Sequence, residues 1–208
     1  MKNFSISMGI TDFIPVILFS VAAIMLQRDL YNKMSKGAFA LFAVGTIDII
    51  CAGVAKALYK ILYASGICDF KALNDIFFPL QSIGFLLAGI GIVAMIVHKQ
   101  GKDAALCAAA PPVFSGTAIF VSCMCLGLAL MYFVLCIISI KLKRPLLIVV
   151  FLLSFICSLA MGYLSAKDFS QSYMNWLAQG INVVGQGLFL YGVIVMQRAG
   201  LTDLVLGR

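Results

Sequence analysis

The chain is short of the residues from which most catalytic and metal sites are built. Its 208 residues include no glutamate and a single histidine, His98, and only 11% of them are charged. The HExxH and GxSxG signatures of zinc proteases and serine hydrolases are absent. A haem held by two histidines is excluded by count. A retinal Schiff base requires a lysine in the last helix, and no lysine follows Lys167. We therefore do not expect an enzyme.

Cysteine is present, but without a metal-binding pattern. The seven cysteines include no CxxC pair, and most of them lie inside apolar runs, where a cysteine is usually a small apolar core residue. His98 stands beside Lys99 at the end of an apolar run and has no second ligand near it in the sequence. We therefore predict an interfacial position for His98 and expect neither a metal nor a cofactor.

The net charge of +7 would suggest nucleic acid in a soluble protein, but the basic residues are not arranged for it. The lysines and arginines stand in short loops between apolar runs, with no basic patch that has aromatic residues between its charges. Basic residues in such positions set the orientation of membrane helices and contact lipid headgroups. The predicted partner of this charge is a lipid bilayer, and no nucleic acid is expected.

What the chain has in excess is apolar sequence. Hydrophobic residues make up 63% of it and the mean hydropathy is +1.09, whereas an ordinary soluble domain is about 45–50% apolar. Six runs reach or approach the roughly 20 residues that cross a bilayer, at 10–27, 38–63, 76–97, 104–140, 145–166 and 172–197. A membrane offers no water to unpaired backbone groups, so these runs are predicted to be helices. The fold class is therefore an all-α polytopic membrane protein, a helical bundle whose first helix is retained.

An internal repeat is visible in the sequence. The segment "IDIICAG" at 47–53 resembles "LSFICSL" at 153–159, and "LQSIGFLLAGI" at 80–90 resembles "AQGINVVGQGL" at 178–188. The matched segments fall on corresponding apolar runs, which favours a duplicated three-helix unit. We predict one integral membrane domain over 1–208. It is made of repeat 1 at about 9–96, a linker at about 97–115, repeat 2 at about 116–197 and a short tail at 198–208.

The distribution of lysine and arginine bears on the number of spans. With six spans, the helix ends and loops carry eight basic residues on one side and six on the other. If residues 102–116 also cross the membrane, the count becomes ten against four, which obeys the positive-inside rule better. We therefore favour seven transmembrane helices in a 3+1+3 arrangement of parallel repeats. The N-terminus would lie outside and the C-terminus in the cytoplasm, in the plasma membrane. The alternative is six transmembrane helices, with 104–116 as an interfacial or re-entrant segment.

Four amide side chains recur in the last apolar run at spacings of four, three and four residues. They are Asn175, Gln179, Asn182 and Gln186. At 100° per residue they fall within an arc of about 60°, which predicts one polar stripe facing the interior of the bundle. Amides at such positions either join helices through hydrogen bonds or line a polar cavity, because an amide both donates and accepts. Both interpretations stay open.

Asp48 is predicted to lie in mid-span, where a carboxylate is costly and usually functional. Gln81 matches Gln179 in the repeat, so we assign Asp48, Gln81 and the four amides to one predicted cavity. The alternative for Asp48 is a protonated, hydrogen-bonded structural residue. Lys56 and Lys60 are predicted to extend toward the membrane interface. Glycines on the third and last runs predict close helix packing, at Gly84, Gly89, Gly91, Gly180, Gly185 and Gly187.

Two functions remain open from the sequence. A duplicated three-helix unit, a mid-span carboxylate and an amide stripe favour a transporter or channel for a small polar solute or ion. The 3+1+3 layout is similar to that of sugar-transporting bundles and of seven-helix receptors, without a motif of either. The alternative is a membrane sensor or interaction protein that acts with a partner. The expected partners are the bilayer, a small polar ligand or ion, and a second copy or another subunit.

Overall fold

The computed structural model describes residues 5–97, 117–165 and 172–204. Those residues form seven α-helices, and no strand occurs among them. The helices are α1 (Ile6–Thr11), α2 (Phe13–Leu30), α3 (Lys36–Ala64), α4 (Lys71–Val97), α5 (Thr117–Lys141), α6 (Leu146–Ser165) and α7 (Ser172–Arg198). Short 3-10 turns follow α2 and α7. The all-α class predicted from the sequence is confirmed.

Five helical segments of the described chain are long and apolar enough to cross a membrane. They are Ile6–Lys33, Lys36–Ala64, Lys71–Val97, Ala118–Lys141 and Tyr173–Arg198. Helix α6 is also apolar and has 20 residues, about 30 Å at 1.5 Å per residue. These lengths are compatible with membrane insertion. Residues 98–116, which include His98 and the predicted extra crossing, lie outside the described residues.

Six long helices pack in a closed ring. Each helix from α2 to α7 packs against the next in the chain, and α7 packs back against α2. The short helix α1 packs against α3. The ring therefore joins the two ends of the chain, and α7 becomes a neighbour of the N-terminal helices.

Helices joined by short turns are antiparallel. Gln27 Nε2 donates to Thr46 Oγ1 over 2.7 Å near one end of the α2–α3 pair. Gly53, farther along α3, lies against Val16 near the start of α2. By the same kind of contact, α3 is antiparallel to α4, and α6 is antiparallel to both α5 and α7.

Two neighbouring pairs are parallel instead. On α4 and α5, the rings of Phe78 and Phe120 lie 6.4 Å apart. About two turns farther along both helices, Phe85 contacts Gly127. At the end of α1, Thr11 accepts a hydrogen bond from Gln179 of α7. Farther along α2 and α7, the rings of Phe19 and Phe189 stack at 5.8 Å. Helices α2, α4, α5 and α7 therefore point one way, and α3 and α6 point the other way.

Glycines permit the closest helix contacts. A Cβ on Gly89 would lie 2.6 Å from the carbonyl oxygen of Gly127, and a Cβ on Gly91 would lie 2.6 Å from the nitrogen of Phe42. The packing prediction is confirmed for these two glycines and for Gly84 and Gly185. It is not met for Gly180 and Gly187, which have no described atom within 4 Å.

Aromatic rings fill the middle of the bundle. The members of this aromatic core are Phe19, Phe85, Tyr132, Phe151 and Phe189. Phe189 lies 5.8 Å from Phe19 and from Tyr132, centroid to centroid, and 6.3 Å from Phe151. Such pairs contribute about 0.5–1.5 kcal/mol each beyond burial of their area. The aromatic core separates the two ends of the bundle at mid-depth.

Candidate functional site

The hydrogen-bond ladder of the first long helical segment is interrupted near its N-terminal end, although Asp12 keeps helical backbone angles (φ −62°, ψ −21°). Helix α1 ends at Thr11 and α2 begins at Phe13, with Asp12 between them. The cause lies three residues on, at Pro15. Proline has no backbone N–H, so the Thr11 carbonyl loses the i+4 donor that a continuous helix would supply. The break therefore leaves a backbone acceptor inside a helical bundle.

Gln179 of the amide stripe supplies the missing donor. Its Nε2 donates to the Thr11 carbonyl oxygen over 2.6 Å, and the Gln179 side chain is buried in the α2–α7 contact. A buried carbonyl without a partner is costly. The amide thus compensates for Pro15 from another helix, and one of the four predicted interior amides has a defined interhelical role.

A buried ion pair stands beside the break. Lys60 Nζ, on α3, lies 2.6 Å from Asp12 Oδ2, and the two side chains are 9% and 8% exposed. The other carboxylate oxygen, Asp12 Oδ1, is buried and has no hydrogen-bond donor among residues 5–97, 117–165 and 172–204. We call Thr11, Asp12, Lys60 and Gln179 the helix-break site.

The sequence prediction for Lys60 was wrong. We expected Lys60 to extend toward the membrane interface, but its side chain is buried and held by Asp12. Antiparallel packing of α2 and α3 puts the carboxylate within reach, and an ion pair in a poorly solvated place is stronger than one at a wet surface. Lys56, one turn earlier, has its Nζ 4.1 Å from the ring centre of Phe77 on α4. Both lysines therefore engage groups within the bundle.

The amide stripe begins at one end of the bundle, where Gln179 contacts the end of α1. Asn175 and Gln179 are buried, whereas Asn182 and Gln186 are partly buried. The Oε1 atom of Gln186 is itself buried, and no described group donates to it. On the opposite side of α7, Val184 and other apolar residues are exposed. The stripe thus begins at the helix-break site and continues toward the aromatic core.

Asp48 and Gln81 lie at a different interface. Asp48 sits on α3 against α4, with its Cβ 3.0 Å from where a Cβ on Gly84 would stand. Both Asp48 and Gln81 are partly buried, and neither forms a hydrogen bond to a residue in the described ranges. The structure therefore brings Gln179 to the N-terminal break, and it places Asp48 in the α3–α4 contact.

Ser154, which the sequence comparison aligns with Asp48, has a closed hydrogen-bond network. Its hydroxyl donates to the Gly185 carbonyl oxygen over 2.8 Å, which uses its only proton. The Tyr132 hydroxyl, 2.6 Å away, must then donate to Ser154. Ser154 is fully buried and its hydroxyl is satisfied, so it joins α5, α6 and α7.

Two buried carboxylates were missed by the sequence analysis. They are Asp12 in the helix-break site and Asp29 at the other end of α2, whose Oδ1 accepts from Arg28 Nε over 2.9 Å. Both lie near the ends of the first apolar run. A proline three residues after Asp12 was the available signal, because it predicts a free carbonyl beside a carboxylate.

Two grooves lie on the surface of the described bundle. One of about 370 Å³ lies on α6 and α7 around Cys157 and Trp176, and one of about 380 Å³ lies on α2 and α3 around Gln27 and Arg28. Neither is lined by a residue of the predicted cavity. No group of three metal-ligating side chains occurs within the described ranges.

The chain is thus an all-helical protein with five helices long and apolar enough to cross a membrane and a buried ion pair at a helix break. Comparison with known protein families, with curated proteins and with solved structures finds no match. Function is therefore argued from the site.

Proposed function

We propose that the protein is an integral membrane transporter for a small polar solute or ion, which binds at the helix-break site. The observation that carries the proposal is the interrupted hydrogen-bond ladder of the first helical segment, where the Thr11 carbonyl is bonded by Gln179 of another helix and lies beside the buried Asp12–Lys60 pair. Broken membrane helices whose backbone groups are released from the helix are a recurring element of transporter binding sites. Ionisable residues within membrane segments commonly mark the path of a substrate or ion.

The buried ion pair supports a binding role over a purely structural one. Removing two charges from water costs as much as their attraction returns, and apolar residues of similar size often stabilise a protein equally well. A pair such as Asp12 and Lys60 is therefore weakly explained by stability alone. The free oxygen of Asp12 leaves capacity for a further hydrogen bond.

A gated transporter fits the bundle better than an open channel. The partly buried Gln186 continues the polar stripe below the helix-break site, with an unpaired oxygen. The aromatic core then fills the middle of the bundle. A solute that passes the site would need Phe19 and Phe189 to separate. Movement of one half of the ring against the other would provide this separation.

We further propose seven transmembrane helices. Helices α4 and α5 are parallel, so α5 begins at the end of the bundle opposite to where α4 finishes. The 19 residues 98–116 must connect these two ends, and 19 residues suffice for a helix about 28 Å long. The basic residues of the described chain support the orientation with the N-terminus outside. Of the ten described basic residues, Lys56, Lys60 and Lys71 lie toward one end of the bundle and seven lie at the opposite end: Arg28, Lys33, Lys36, Lys141, Lys143, Arg144 and Arg198.

The duplicated unit belongs to the same proposal. In each of the sets α2–α3–α4 and α5–α6–α7, the first and third helices are parallel and the second is reversed. The third helix of each set packs in parallel on the first helix of the other, α4 on α5 and α7 on α2. This arrangement suits two parallel repeats related by a two-fold axis along the membrane normal.

Cysteine labelling tests the number of spans. Cys68 and a Lys143→Cys variant, each as the only cysteine, are expected to react with an impermeant maleimide from opposite sides of the membrane. Cys68 follows α3 and Lys143 follows α5, so an even number of crossings between α4 and α5 would put both on one side. Labelling of both from one side would contradict the seven-span proposal, and cytoplasmic labelling of Cys68 would contradict the orientation.

Flux in proteoliposomes tests the transport function. We expect the protein to move at least one class from a panel of neutral, cationic and anionic small solutes. Pro15→Ala restores the missing N–H and is expected to reduce flux several-fold. Pro79→Ala makes the same change within the continuous helix α4 and is expected to leave flux near the wild-type value.

The outcome for each variant separates the two functional classes. Wild-type flux in all three variants, Pro15→Ala, Asp48→Asn and Gln186→Leu, would contradict the proposal that these residues of the bundle take part in transport. No flux for the whole panel, together with constant co-purification of another subunit, would favour the sensor or interaction protein.

A further inference from the structure

The charges around the helix-break site do not balance. Lys56 and Lys60 stand one turn apart on α3 and are neighbours on the helix surface. Asp12 pairs with Lys60 at 2.6 Å. No carboxylate of the described chain lies within 4 Å of Lys56, whose ammonium group instead lies above the Phe77 ring. Among residues 5–97, 117–165 and 172–204, the site therefore has two positive groups and one negative group, an excess of one positive charge.

This excess charge favours an anion. A cation over an aromatic face gains about 0.5–2 kcal/mol, which is far less than the loss of hydration inside a bundle. An anionic group beside Lys56 would complete the neutralisation. Asp12 Oδ1 requires a hydrogen-bond donor, because a buried carboxylate oxygen without a donor is also costly. A complementary ligand therefore carries an acceptor anion and, close to it, a hydrogen-bond donor.

The surroundings of these groups limit the size of the ligand. Gln179 already occupies the Thr11 carbonyl, and Asn175 is buried beside it on α7. The aromatic core closes the bundle below the site. A ligand between Lys56 and Asp12 would thus meet packed groups toward α7 and toward the middle of the bundle.

We propose that the helix-break site, together with Lys56, binds a small carboxylate that also carries a hydroxyl or amino donor, such as a short hydroxy acid. The carboxylate pairs with Lys56, and the donor group bonds to Asp12 Oδ1. Lys60 holds Asp12 in position. This inference rests on the proposed transport function for its biological meaning, and it makes a separate prediction about binding.

Titration calorimetry on the full-length protein in nanodiscs tests the proposal with three matched probes. L-lactate carries both groups, propionate lacks the hydroxyl, and glycerol lacks the carboxylate. We expect lactate to bind at least about tenfold more tightly than propionate, since a hydrogen bond to a charged group is worth about that factor. Glycerol is expected not to bind.

Variants of Lys56 test whether its charge binds the carboxylate of lactate. Lys56→Gln is expected to weaken lactate binding at least about tenfold, and Lys56→Arg is expected to retain it. Lys71→Gln is the control, because Lys71 lies at the same end of the bundle, is 75% exposed and is 3.9 Å from Asp69. Thermal unfolding of each variant in the same nanodiscs establishes that it is folded.

Failure of this inference is distinct from failure of the transport proposal. Equal affinity of Lys56→Gln and wild type for lactate, or glycerol binding without lactate binding, would overturn the anion site. Flux of a neutral solute that depends on Pro15 would then still support transport. Conversely, lactate binding that requires Lys56, with no flux of any probe, would support the site and overturn the transport function.

Discussion

Replacement of Lys60 by methionine is expected to destabilise the protein by about 3–5 kcal/mol, the cost of leaving one partner of a buried ion pair without the other. Asp12 is 7% exposed, and only Lys60 Nζ pairs with it in the described chain. Methionine keeps the length and apolar character of the lysine stem, so the loss reports the charge. Thermal or denaturant unfolding of the purified protein in detergent measures the effect.

The double variant Asp12→Leu/Lys60→Met provides the decisive comparison. It removes both charges, and its stability is expected to return to near the wild-type value or above it. Lys71→Met is the matched single control, because its partner Asp69 is 3.9 Å away at an exposed position, and such a pair is worth about 0–1 kcal/mol. Wild-type stability of Lys60→Met would contradict the buried ion pair.

The same double variant separates stability from function. If Asp12 and Lys60 serve only to fasten α2 to α3, the double variant should retain full flux in proteoliposomes. If the pair belongs to a binding site, the double variant should be folded and inactive. A stable and inactive protein would mean that the charges are kept for the solute, which agrees with the weak contribution of buried ion pairs to folding.

Hydrophobic pattern was sufficient to find the helices, and the reason is physical. The run predicted at 38–63 became α3 at Lys36–Ala64, and the run at 172–197 became α7 at Ser172–Arg198. A segment that loses its contacts with water must pair its own backbone groups, and a helix does this with local bonds alone. Length and apolarity therefore determine such an element without knowledge of its neighbours.

The candidate site could be found only in part, because helical spacing gives the face of a residue and not the helix that covers it. The spacing of Gln179 predicted an interior side chain. Its partner, the Thr11 carbonyl, lies 168 positions away and exists because Pro15 lacks an N–H. Asp48 was assigned to the same cavity as the amides, and it lies against Gly84 in the contact between α3 and α4. Assigning all six residues to one cavity required the order of the helices, which the sequence pattern does not contain.

Replacement of Gly127 by leucine is expected to separate α4 from α5 and to cost about 3 kcal/mol or more, at the upper end of the effect of overpacking a core. A Cβ at Gly127 would lie against backbone atoms of Phe85 and Leu86, and backbone atoms cannot move aside as a flexible side chain can. Gly89 faces the same point from α4. Unfolding temperature and the monodispersity of the purified protein are the measurements.

Gly187→Leu is the matched control for this change, because it adds the same side chain in the interior of α7, where no described atom lies within 4 Å of the new Cβ. Both variants replace a glycine by a better helix former, which contributes about 0.8–1.0 kcal/mol in each. The difference in stability between them therefore reports the α4–α5 contact alone. Similar stability of the two variants would contradict that contact. The parallel packing of α4 and α5 also underlies the proposed crossing at 98–116, so a collapse limited to Gly127→Leu would strengthen the seven-helix arrangement as well.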